Sequence, residues 1–108
     1  MNPDLPAPIA RYLAADAHED EAALRDCFTD DAQVHDEGDT ISGIDNIVAW
    51  KRAARQKYRY RVEPLEVAQD GMQATLHARV SGNFPGSPVQ LAYHFQLRAQ
   101  RIAALRIG

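Results

Sequence analysis

The sequence predicts an α+β fold: three N-terminal helices packed on a curved, mainly antiparallel sheet. Two observations carry this. Apolar residues recur at helical spacing through the first half, and the period changes to two after Tyr58. No linker, repeat or low-complexity segment divides residues 1–108, so a single domain is expected.

The elements follow in order. Pro3, Pro6 and Pro8 suit the first turn of a helix, and Ile9, Tyr12 and Leu13 give it an apolar face from about Pro6 to Asp16. Asp20 is placed to cap a second helix, whose buried face carries Ala23, Leu24, Cys27 and Phe28. Cys27 is read there as core filling. Thr29-Asp30-Asp31 breaks that helix, and Ala32 to Asp36 alternates as a short strand. Glu37-Gly38-Asp39 turns into a partner strand at Thr40-Ile41. A third helix spans about Asp45 to Lys57, acidic at its start and basic at its end, with a stripe of Ile44, Ile47, Val48, Trp50, Ala54 and Tyr58.

The alternating half then begins. Tyr58, Tyr60 and Val62 share one face, while Leu65 and Val67 fall on the opposite parity, which predicts a bulge near Glu63-Pro64. Asp70-Gly71 marks a hairpin. The next strand shows Met72, Ala74, Leu76, Ala78 and Val80 on one side, with His77 and Arg79 on the other. After a turn-rich loop from Gly82 to Pro88, Val89, Leu91, Tyr93, Phe95 and Leu97 face inward and His94 outward. Ile102 to Ile107 forms the last strand.

Charge is unevenly distributed. Met1 to Trp50 holds 12 Asp/Glu against two Arg, and Lys51 to Gly108 holds 10 Lys/Arg against three Asp/Glu. Either the basic half meets nucleic acid, or two oppositely charged layers lie against each other within the fold or between subunits. The basic run from Lys51 to Arg61 interleaves aromatics, yet its spacing puts its charges on the solvent face of both elements, so no nucleic-acid partner is expected. No apolar run approaches membrane-helix length and no leader is evident, so no membrane partner is expected and the cytoplasm is the expected compartment. The spacing of His and carboxylates offers no metal site, and no Gly-rich phosphate loop implies a cofactor.

Several segments carry a family resemblance. Arg11-Tyr12-Leu13-Ala14-Ala15, Leu24, Cys27 to Asp36, and Ile41 to Ile47 with its Gly43 and Ile47 resemble SnoaL-like proteins and ketosteroid isomerases of the nuclear transport factor 2-like superfamily. The resemblance covers Pro6 to Ile107. It implies a cone-shaped α+β barrel, with a pocket between helices and sheet that takes a small apolar or carbonyl-bearing ligand. The activity implied is an isomerase or cyclase reaction, with Asp36 as the base and Tyr12 as the oxyanion donor. The alternative is a non-catalytic ligand-binding or dimeric interaction domain of the same fold. Where ketosteroid isomerases place a protonated aspartic acid before His-Phe, this chain has Tyr93 before His94-Phe95. Trp50, Tyr60, Leu76, Leu91, Tyr93 and Phe95 are the expected pocket residues. The resemblance also implies a homodimer paired through the outer face of the sheet.

Overall fold

A computed structural model describes residues 4–108; Pro3 and the two residues before it lie outside the described residues. Helix α1 (Ala7–Ala17) begins after Pro6 without a side-chain cap, with Pro8 in its first turn. Helix α2 (Glu21–Cys27) is capped by Asp20, whose carboxylate accepts from the Ala23 amide at 3.1 Å. Strand β1 (Phe28–Asp36) starts four residues earlier than the sequence suggests. Thr29-Asp30-Asp31 does not form a separating loop; it is a bulged stretch in which pairing with the last strand slips between Phe28 and Gln33. Strand β2 (Asp39–Ser42) returns beside β1. Helix α3 (Ile44–Tyr58) opens on Gly43, whose φ of 87° suits a residue without a Cβ, and closes on Arg59 in the left-handed region.

That left-handed residue corrects one expectation. Tyr58 ends the helix and is not on the strand parity of Tyr60; β3 (Arg61–Asp70) begins only after both. The bulge is present, with register slipping between Pro64 and Glu66 so that Leu65 goes unpaired. β4 (Gln73–Ser81), β5 (Val89–Arg98) and β6 (Arg101–Ile107) complete a six-stranded sheet of order β2-β1-β6-β5-β4-β3. Met72 lies in the turn before β4 and is exposed, so it does not join the inward face. Every neighbouring pair is antiparallel except β1 with β6. The edge strands β2 and β3 do not meet, so the cone is open and the sheet is not a closed barrel.

Register decides what the concave face holds. Ala74 pairs with Phe95, Leu76 with Tyr93 and Ala78 with Leu91, all on the side covered by the helices. Leu76 and Ala78 are buried while His77 and Arg79 are exposed, as alternation requires. Tyr12 from α1 enters this core edge-on to Phe28 at 5.8 Å and to Phe95 at 5.7 Å. Cys27 is buried against the Ala23 carbonyl, a core residue as expected.

The charge asymmetry is met inside the fold. Asp16 faces Lys51 and Arg55, Glu21 takes a two-pronged bond from Arg52 at 2.6 Å, and Asp31 meets Arg98 at 2.5 Å. Each of these pairs joins an acid of the first half to a base of the second. The basic run is therefore not a uniformly solvated face: Lys51 is buried and Arg55 largely so.

Candidate functional site

A cavity of about 450 Å³ opens between α3, the concave face of the sheet and the β4–β5 loop. Val80, Val89, Leu91 and Ile107 supply aliphatic wall. Trp50, Tyr58, Phe84 and Tyr93 supply aromatic surface, with Tyr58 edge-on to Phe84 at 5.9 Å. The loop is fastened to α3 by the Asn83 amide donating to the Tyr58 carbonyl at 2.7 Å. Gly82 makes this approach possible, because a Cβ there would lie 2.7 Å from that same carbonyl oxygen.

The polar groups are few. Asp36 stands half-buried at the end of β1, its Oδ2 accepting from the Trp50 indole Nε1 at 3.3 Å. Loss of water raises its carboxyl above the ordinary aspartate range and the neighbouring Glu37 adds to this. The indole bond and the Lys51 charge oppose it. Lys51, one residue beyond Trp50, lines the cavity and is only 5% exposed. Its ammonium donates to the Tyr60 hydroxyl at 2.8 Å and to Asp16 Oδ2 at 3.3 Å, while the Tyr60 hydroxyl lies 2.9 Å from both Asp16 oxygens. Arg55 Nε reaches Asp16 at 3.2 Å, and its guanidinium also donates to the Tyr60 carbonyl. Burial lowers the Lys51 pKa, and Asp16 resists that shift. The Tyr60 and Tyr93 phenols are pushed upward, first by burial and then by Asp16, so both remain protonated donors.

Of the expected site residues, Asp36, Trp50, Tyr60, Leu91 and Tyr93 gather on the cavity wall. Leu76 and Phe95 are fully packed behind it and do not line it. Tyr12 is also outside the lining. Its side chain is completely buried, its hydroxyl has no hydrogen-bond partner among the described residues, and burial keeps it far from ionisation. Lys51 and Asp16 are site residues that the sequence analysis does not single out; the one signal they leave is helical spacing, which puts each on an apolar stripe. Lys51 stands four residues after Ile47 and three after Val48, and Asp16 four after Tyr12. Among the described residues, no group of three or more His, Cys, Asp or Glu is placed to hold a metal.

An open α+β cone with a lined cavity between helix and sheet defines a class of small pocket proteins. The chain belongs to the SnoaL-like domain family, whose pattern matches residues 9–105. It is similar to a candidate polyketide cyclase from Sinorhizobium meliloti at 45% identity and a TM-score of 0.95, covering 97% of this chain and 96% of that one. A candidate polyketide cyclase from Pseudomonas putida shares the fold at 20% identity and a TM-score of 0.81, over 97% and 92% of the two chains. So does a protein with a ketosteroid isomerase-like fold from Catenulispora acidiphila, solved in complex with trimethylamine, at 21% identity and a TM-score of 0.85, over 97% and 86%. No curated protein gives a significant match.

Proposed function

We propose that this protein transfers a proton next to the carbonyl of a small, largely apolar molecule, in an isomerase- or cyclase-type reaction with Asp36 as the base. The observation that carries this is the Asp36 carboxylate, half-buried in the wall of a mostly apolar cavity and shifted toward proton affinity. A carboxylate stripped of part of its hydration is a stronger base, and the Trp50 indole holds it in place. The 45% identical candidate polyketide cyclase supports the cyclase form, since closing a carbon–carbon ring onto a carbonyl begins with removal of an adjacent proton.

The oxyanion donor is drawn from the buried phenols. Tyr93 lines the cavity directly, and Tyr12 holds an unpartnered hydroxyl deeper in the core. Replacing each by Phe tells them apart, because loss of the donor costs on the order of 10²–10³ in rate. The test of the base is hydrogen–deuterium exchange next to the carbonyl of 2-tetralone, followed by NMR. Exchange above the uncatalysed rate that disappears in Asp36→Asn supports the reading, and exchange that survives refutes it. Binding without exchange in the wild type assigns the non-catalytic ligand-binding domain instead. The resemblance also supports pairing of two copies through the outer face of β4 and β5, around His77, Ala92 and His94.

A further inference from the structure

We infer that Lys51 is the anion-binding residue of the cavity, so that the site holds a carbonyl ligand most tightly when its oxygen carries negative charge. This rests on the proton-transfer reading and names the ligand form that reading requires.

Charge counting within the buried cluster comes first. Two cations, Lys51 and Arg55, converge on one carboxylate, Asp16, and all three side chains are 15% exposed or less. Asp16 already receives Lys51, Arg55 and the Tyr60 hydroxyl, so both of its oxygens are engaged. Within that cluster one positive charge is left over, and the carboxylates that share the cavity wall with it are Asp36 and Glu37. The surplus charge of the cluster reaches the cavity through Lys51, which lines it while Arg55 does not.

Donor counting agrees. An ammonium has three N–H donors; Asp16 and Tyr60 take two. Three aromatic rings also lie close, with Nζ 4.8 Å from the centre of Trp50, 5.0 Å from Tyr12 and 5.1 Å from Tyr60. Rings stabilise the charge without using the third donor. They are also already engaged by this cation, which disfavours a cationic ligand at the same place.

The proton transfer itself explains why the surplus charge is useful. Before the step, the negative charge on the cavity wall nearest Lys51 resides on Asp36, whose proton affinity Lys51 lowers. As the C–H bond breaks, its proton passes to an Asp36 oxygen and its electron pair becomes the enolate. Asp36 turns neutral and the ligand oxygen becomes the anion. A fixed ammonium in a poorly hydrated wall follows that charge without reorganising.

The experiment compares two probes of nearly the same shape at pH 7. One is 5-phenyl-1,3-cyclohexanedione, which is an enolate in neutral water; the other is 3-phenylcyclohexanone, which is neutral. Dissociation constants are read by quenching of the Trp50 fluorescence. The wild type is expected to bind the dione at least tenfold more tightly, and Lys51→Met to narrow that preference to under twofold by weakening the dione alone. Arg55 and Tyr60 still engage Asp16 in that variant, so the cluster keeps its partners. Lys51→Gln, which retains a donor without the charge, carries the same expectation should the Met variant not fold. Asp36→Asn is expected to keep the preference while losing 2-tetralone exchange, which separates the anion site from the base. No binding of the dione, no preference in the wild type, a preference unchanged in the Lys51 variants, or one abolished by Asp36→Asn overturns the inference.

Discussion

The indole Nε1 of Trp50 donates to the Asp36 carboxylate at 3.3 Å, joining the middle of α3 to the end of β1 on the cavity wall. This bond lowers the proton affinity that burial raises, so it limits how far the carboxyl is pushed up. Exchange catalysed by Asp36 is expected to fall on the acid side at a pH above the ordinary aspartate value of 3.8. Trp50→Phe removes the donor and moves that limb further up. A pH–rate profile of 2-tetralone exchange for both proteins checks the direction.

The same shift has a stability consequence. Because the folded-state pKa of Asp36 lies above its unfolded value, its contribution is most favourable below the unfolded value and is lost as pH rises through the folded one. Asp36→Asn should therefore raise the melting temperature at pH 7, and the gain should vanish at pH values below the ordinary aspartate range. Thermal unfolding at the two pH values reads this directly.

Asp16 holds the buried cluster together. Asp16→Asn leaves Lys51 and Arg55 facing each other without a carboxylate, and about 3–5 kcal/mol of stability should be lost. Adding Lys51→Met to that variant should recover a large part, since Arg55 alone can turn toward water. Urea unfolding of the two single variants and the double variant forms the cycle that measures it.

The β5–β6 turn carries Ala99 at φ 53° and Gln100 at φ 65°, both in the left-handed region, and Arg11 bonds the Gln100 carbonyl. Asn-Gly satisfies such a turn with less strain. Ala99→Asn with Gln100→Gly should stabilise the fold by about 1 kcal/mol, measured as a higher urea midpoint at unchanged slope.

Sheet-to-sheet pairing predicts a particle of twice 12.0 kDa by light scattering at micromolar concentration. His77→Glu with His94→Glu places like charges on the outer face, where both residues are exposed, and should return it to a monomer.

Alternation alone determined which residues of β4 and β5 face the helices, because a strand has a strict period of two and one face must be buried. Helical spacing likewise marked the stripes of α1 and α3, and Asp20 its cap. What spacing could not decide was the fate of charged residues lying on those stripes. Lys51 and Asp16 are 35 positions apart, and each alone reads as a surface residue. Only when α1, α3 and the Tyr60 segment pack together does each supply the partner that makes burial of the other tolerable. Depth was decided in the same way. Tyr12, Leu76 and Phe95 point inward as their periodicity requires, yet they sit behind the cavity, because the left-handed Arg59 and the Gly82 approach place Tyr58, Tyr60 and Phe84 around it. Periodicity gives a side chain its direction; the distance from there to a cavity wall depends on how separate elements meet, and that is a property of tertiary packing alone.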